Sequence, residues 1–266
     1  MTARATVRPA RRCGLLAGLV LALTLIPPAL AGNAESFFAM GMQAYAAEDY
    51  EKAIHLFEQA AAAEPNVSKY YHWLGRAAGR RAERAHFLRA PGLAKKARAA
   101  WERAVEIDPA DIGALSDLLE YYLQAPGFLG GGEDKARAVA ERLAKLNAAE
   151  GHRAQAVILA RRKDYAGAEK EYRAALDLEP QRPGRLLELA SFLSERGRYS
   201  ESDALFDRVA QLAPGTPGLL FQRGKALALS KRDPREARQL LEAYLRSNRQ
   251  ADDPPPSEVQ ALLKRL

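Results

Sequence analysis

YAGAEKEYRAALDLEP, residues 165–180, is the stretch on which the reading of the chain turns. Ala168, Tyr172 and Ala175 are four and three residues apart, so they share one stripe of a helix, and Pro180, five residues further, stops it. The same series returns as Ala53, Phe57, Ala60, Pro65, as Ala97, Trp101, Ala104, Pro109, and more loosely as Ser202, Phe206, Val209, Pro214. A recurring stripe ended by proline signals stacked helical hairpins, and with them a binding surface rather than a catalytic centre.

Upstream of these series a second helix carries its own close-packing residues: Gly41, Leu74 with Gly75, Ala156 with Leu159, and Gly224 with Leu227. Two helices approach to about 8–10 Å only where small side chains face each other. Tyr50, Tyr165 and Tyr199 each stand three residues before the small residue of a series, after polar turns such as Glu48-Asp49 and Lys163-Asp164. There each ring can cover the hairpin turn.

Together these residues resemble the tetratricopeptide repeat, a helix-turn-helix unit of about 34 residues. The resemblance extends over nearly all of the chain beyond residue 31. It implies an all-α fold, a right-handed α-solenoid of about six hairpins whose concave face binds proteins or peptides. Units are expected at 34–67, 68–111, 112–148, 149–182, 183–216 and 217–250, within a solenoid of residues 32–252. A proline-rich turn and capping helix are expected at 253–266, with Ser257 as the N-cap of a helix from Glu258 to Leu266.

Spacing departs from regularity at two places. The terminal prolines at 65, 109, 180 and 214, with Ala148 as the third unit's equivalent, are separated by 44, 39, 32 and 34 residues. The third unit has Ala140 and Leu143 in place of the aromatic and small residue, and the sixth has Ala237, Leu241 and Tyr244. Extra residues fall between the helices of the second unit, within Arg76 to Leu93, and of the third, at Ala125 to Gly132. Since all hairpins point the same way, the two insertions should project side by side. With no proline between Val67 and Ala90, the second unit's first helix can run about 20 residues before Pro91-Gly92 turns the chain.

The N-terminus reads as a secretory leader over residues 1–31. Arg4, Arg8, Arg11 and Arg12 precede an apolar run from Gly14 to Ile26, then Pro27, Pro28 and Ala29-Leu30-Ala31, with cleavage expected after Ala31. That run is 13 residues, short of the roughly 20 that span a bilayer, so no stable membrane span is expected. Cys13 precedes the run, which disfavours lipoprotein processing, and Arg11-Arg12 matches a twin-arginine signal poorly. A periplasmic or secreted bacterial protein is expected, with membership of a membrane-associated complex left open, and once cleaved it would carry no thiol.

Removing the leader changes the charge from +7 to +3, because four of the 40 basic residues go and all 33 acidic ones stay. Nucleic-acid binding inferred from the overall charge would rest partly on removed residues, so no nucleic-acid partner is expected. The stretch from Arg76 to Arg103 nevertheless has nine basic residues against two acidic ones. Its Arg81, Arg84, Arg89, Lys95 and Lys96 form a basic edge, a site for an acidic glycan, lipid head group or other anion as the alternative function, or a solvated helix face. Gly127 and Gly130 to Gly132 beside these arginines suggest an anion loop, but Glu133 and Asp134 oppose it. A structural turn with Phe128-Leu129 tucked against the stack is the stronger expectation.

The resemblance makes the outward residues of each first helix the expected groove contacts. These are Phe38, Met42 and Tyr45 in the first unit, Lys69, His72, Arg76 and Arg80 in the second, and Arg153, Val157 and Arg161 in the fourth. An apolar mouth followed by basic residues would suit an extended or helical peptide, identity unknown, with hydrophobic anchors and acidic residues. The asparagines of the chaperone-tail clamps known in this family are missing. His55, His72, His86 and His152 show no metal spacing, and no nucleophile elbow or dinucleotide fingerprint occurs. No catalytic residue, metal or cofactor is expected, and the reading is of a non-catalytic protein-interaction scaffold.

Overall fold

A computed structural model of the chain describes residues 1–2 and 28–266, with side-chain surroundings from residue 33 onward; most of the expected leader lies outside the described residues. Thirteen α-helices and one 3-10 turn follow, and no strand occurs among the described residues. They pair as antiparallel hairpins: α1 (Pro28–Ala46) with α2 (Tyr50–Ala63), α3 (Ser68–Glu83) with α4 (Ala90–Ile107), and α5 (Ile112–Gln124) with α6 (Glu133–Leu146). Then come α7 (Ala148–Arg161) with α8 (Tyr165–Leu178), α9 (Pro183–Glu195) with α10 (Tyr199–Leu212), α11 (Pro217–Ser230) with α12 (Pro234–Arg246), and α13 (Pro256–Leu263). This is an α-solenoid.

Local chemistry sets the helix starts. Asp49, Asp111, Asn147, Asp164 and Asp233 each accept a backbone N–H from the first turn of the helix that follows, at 2.9–3.2 Å. The four shortest of the six hairpin turns each use one left-handed residue, Glu48, Lys163, Gly197 and Lys231, at φ of 62°, 65°, 76° and 55°. Only one of the four is glycine, so three turns carry strain that a side chain makes costly.

The recurring stripes form the core. Ala53, Phe57 and Ala60, Ala168 and Ala175, and Ser202, Phe206 and Val209 are all at most 1% exposed. Small residues on the partner helix make the room: a Cβ on Gly41 would lie 2.6 Å from the Phe57 ring, and one on Gly75 2.5 Å from the Trp101 indole. Aromatics also cross to neighbouring hairpins, as Tyr172 does to Phe192 at 5.2 Å. In the irregular units Ala140, Leu143, Ala237, Leu241 and Tyr244 are buried in the equivalent places.

Each turn tyrosine is capped by an arginine from the next hairpin. Arg84 lies over Tyr50 at 4.8 Å, Arg196 over Tyr165 at 4.0 Å, and Arg232 over Tyr199 at 4.3 Å. Hairpins four and five are joined in addition by a buried ion network: Arg185, 4% exposed, contacts Glu150 at 2.5 Å, Glu179 at 2.8 Å and Glu188 at 3.0 Å.

Three local expectations are corrected. The first helix of the second unit stops at Glu83, and Pro91-Gly92 lie in the first turn of α4 rather than in the connection. Proline suits that place because a first-turn residue needs no N–H. Phe128 is not tucked in; it is 78% exposed, while Leu129 is half-buried. Ser257 does not cap the last helix: α13 begins at Pro256, and the Ser257 hydroxyl and N–H reach Glu48 at 2.6 and 3.0 Å. Alongside its packing on the sixth hairpin through Val259 and Leu262, α13 therefore touches the first. The array curls until its ends meet.

Candidate functional site

A cavity of about 510 Å3 lies between α3, α4 and α5, walled by Trp101 and Tyr121 and carrying Arg76, Arg80, Asp117 and Gln124. Tyr45 and Arg80 continue into a neighbouring cavity of about 270 Å3, closed on its far side by Ser247 to Asp253. Arg249 lines that second cavity, and its Nε is buried without an acceptor.

Asp117 organises the charges. His72 Nε2 lies 2.9 Å and Arg76 Nε 2.6 Å from its Oδ2, and His72 Nδ1 is 3.6 Å from Asp111. Burial alone would raise the Asp117 pKa, but the His72 hydrogen bond and the Arg76 charge outweigh it and hold the carboxyl below its ordinary value. Arg80 pairs with Glu83 at 3.3 Å. Burial raises the pKa of Tyr45, opposed by Arg80.

The expected groove residues thus separate into several roles. Tyr45 is a core residue, 7% exposed, packed edge-on against Tyr50 at 5.2 Å and Trp73 at 5.3 Å. Phe38 and Met42 are half-buried; Phe38 packs on Phe57 and Tyr70 with Lys69 Nζ 5.0 Å above its ring, so the apolar mouth is largely filled by its own chain. His72 is a strut between the second and third hairpins. Two of the four histidines, unpaired in sequence, meet acids in space: His72 at Asp117, and His152, whose Nδ1 lies 2.6 Å from Glu171. No cluster fit for a metal ion occurs among the described residues. Arg76 and Arg80 reach the cavity, Arg153 is held by Glu150 at 3.1 Å and Glu188 at 3.7 Å, and Arg161 is exposed at the end of α7.

Three of the five cations of the basic edge are paired. Arg81 pairs with Glu51 at 3.4 Å, Arg84 with Glu48, and Lys96 with Glu58. Arg89 and Lys95 are exposed and make no ion pair among the described residues. The second insertion packs against α4, where Arg98 Nη1 donates to Leu129 O at 3.2 Å and crowds Gly130, which sits at φ 88°. Arginine there holds the glycine turn in place.

Sequence reasoning missed Asp117, Tyr121 and Gln124 on α5 and Asp252 beyond the last hairpin. The first three repeat the spacing of three and four of the second unit's stripe and were legible in principle. Asp252 was not, because only the closure of the array brings it within 4.0 Å of Arg76.

Tetratricopeptide-repeat models match residues 34–67, 131–183 and 159–220. No curated protein matches the chain significantly. Among solved structures, a thermophilic tetratricopeptide repeat protein of Thermus thermophilus is similar at 24% identity and TM-score 0.55, covering 73% of this chain and 98% of that one. A tetratricopeptide repeat protein from Parabacteroides merdae is similar at 14% identity and TM-score 0.51, covering 88% of this chain and 98% of that one. These likenesses extend the fold over the stretch between the matched segments. No helix among the described residues is long and apolar enough to cross a membrane. With three matched segments and six stacked hairpins that share one packing scheme, the chain is a tetratricopeptide-repeat protein.

Proposed function

We propose that the chain is a non-catalytic adaptor of the bacterial cell envelope that holds a peptide segment of another protein against the concave faces of α1, α3 and α5. The observation that carries this reading is the 510 Å3 cavity, where Arg76 and Arg80 lie beside the apolar walls of Trp101 and Tyr121. Such a site offers a pocket for an aromatic or aliphatic anchor and cations for an acidic neighbour, the usual division of labour in peptide recognition. Tetratricopeptide repeats generally mediate contact between proteins, which supports a scaffold rather than a catalyst. The leader-like residues 1–31 support export, to the periplasm or beyond.

A photo-crosslinking residue at position 124, activated in intact cells, tests the groove. The expected product is a protein from the envelope fraction that is absent when the crosslinker stands at exposed Leu178 and is lost with Arg76→Glu. Capture at 124 no greater than at 178 would reject the groove. Export is tested by N-terminal sequencing of the periplasmic protein, which should begin at Gly32. The anion-binding alternative has Arg89 and Lys95 as its free cations, and it would show as binding to anionic vesicles or glycans that weakens steeply with salt.

A further inference from the structure

Between the two cavities runs a piece of the chain's own backbone. Residues 247–255 contain no helix, and Pro255 has φ −70° and ψ 152°, the extended polyproline conformation that three consecutive prolines favour. Ala251 packs against the same apolar cluster that contains Tyr45, Leu74 and Trp101. Asp252 lines the larger cavity, with its carboxylate 4.0 Å from the Arg76 guanidinium, and Asp253 lines the smaller one. Gln250–Asp253 itself forms a tight turn, closed by the Asp253 N–H donating to Gln250 O at 3.2 Å, so an acidic turn followed by a stiff proline run lies on the cations of the groove.

Its hold there is light. A charge-assisted hydrogen bond has a length of about 2.7–2.9 Å, and the Asp252–Arg76 pair is well outside that. The Asp252 side chain is 57% exposed, so solvent screens the pair. Asp253 accepts the Gln250 N–H at 2.6 Å, a bond within the segment that holds its shape without fastening it to the groove. The firm attachments lie to either side. Tyr244 donates to Pro254 O at 2.5 Å, α13 is buried through Val259 and Leu262, and Ser257 is bonded to Glu48 and Arg84. The middle of the segment is able to lift while both ends stay anchored.

We infer that Gln250–Asp253 is a resident stand-in for the partner, a strap that occupies the Arg76–Arg80 groove in the free protein and is displaced by a peptide segment bearing adjacent carboxylates. The inference rests on the groove being the binding site and adds to it the partner's chemistry and a threshold for its entry. A strap tethered at both ends has an effective concentration in the millimolar range, so a weak peptide does not enter and one with better-placed carboxylates does. If the strap is seated nine times in ten, apparent affinity falls about tenfold below that of the open groove.

The test uses the full-length protein and a fluorescein-labelled peptide of residues 247–257, SNRQADDPPPS, read by anisotropy. Asp252→Lys repels Arg76 and unseats the strap, and Ala251→Glu does so independently by placing a charge in an apolar contact. Neither residue belongs to the packing of α13, and an unchanged Tm checks that both variants fold. Both should bind the peptide at least about tenfold more tightly than wild type, with faster amide exchange at residues 250–253, and a peptide with lysines for both aspartates should not bind. Equal affinity for wild type and both variants, or no binding by any, overturns the strap. Capture at position 124 that persists with a failed peptide assay would sink the strap alone; peptide binding to the released variants without cellular capture would sink the adaptor reading alone.

Discussion

Gly75→Ala should destabilise the second hairpin although it replaces the poorest helix former but proline with the best. The new methyl carbon would lie 2.5, 2.6 and 2.8 Å from Nε1, Cδ1 and Cε2 of Trp101. Carbon contacts settle near 3.5–4.0 Å, so the ring or the helix must give way by about 1 Å. Neither moves easily. Trp101 is 8% exposed, its far edge faces Gly79 on the same helix as Gly75, and Tyr121 stands 6.1 Å away. Overpacking of this kind costs about 1–3 kcal/mol, and a rigid indole against helix backbone belongs in the upper half of that range. The alanine propensity gain of about 1 kcal/mol offsets part, leaving a net loss of roughly 1–2 kcal/mol. Gly92→Ala is the control, for nothing lies within 4 Å of its added carbon and only the propensity gain of up to about 1 kcal/mol remains. The chain's two tryptophans, Trp73 and Trp101, both belong to this hairpin, so fluorescence-monitored urea unfolding reports on it locally. Gly75→Ala should unfold at lower urea and Gly92→Ala at equal or higher urea, and adding Trp101→Leu should make the Gly75→Ala change tolerable again. A Gly75→Ala protein as stable as wild type, with unchanged tryptophan emission, would refute the close-approach argument.

Arg185→Met should cost about 3–5 kcal/mol in urea unfolding, since it leaves Glu150, Glu179 and Glu188 without their shared cation; a loss below about 1 kcal/mol would show that the network is dispensable. For Glu150 and Glu179 burial is outweighed by Arg185, which depresses both pKa values, so their contribution is complete above the ordinary value of 4.5 and is lost as pH falls through the folded values. Burial raises Glu188 instead, so its protonation, which comes first as pH falls, favours the fold and partly offsets that loss. A pH titration of Tm should therefore fall more gently, as pH drops from the raised Glu188 value to 4.5, in wild type than in Glu188→Gln, and identical curves over that interval would remove Glu188 from the account. Lys163→Gly should raise stability by about 0.5–1 kcal/mol by relieving a left-handed residue at φ 65°, with calorimetry as the measure. Phe87→Ser and Phe128→Ser, at sites 72% and 78% exposed, should each change unfolding free energy by less than about 0.5 kcal/mol.

What the sequence made legible were the contacts within a hairpin and between its immediate neighbours. Gly41 facing Phe57 and Gly75 facing Trp101 follow from small and aromatic residues repeating at helical spacing, a local code. The site was less legible because its partners are distant in the chain. His72 and Arg76 looked like free groove residues until Asp117, 45 and 41 positions away, occupied them. Arg84 looked like part of a basic edge until it stacked on Tyr50 and paired with Glu48. The boundary between α3 and α4 was misplaced because Pro91 is compatible with both a turn and a helix's first turn, and only the packing of the insertion separates the two. Asp252 is the extreme case, since its position depends on the summed rotation of all six hairpins.

The junction of Ser257 with Glu48 and Arg84 alters how the molecule should come apart. In an open stack each terminal repeat has a single neighbour and frays first, and melting then runs inward. Here the first hairpin is braced by the sixth through α13, so the two ends share their weakness and each lends the other cooperativity. Cutting that junction, as Ser257→Asp beside Glu48 would do, should turn a single unfolding step into a staggered one without removing any buried side chain.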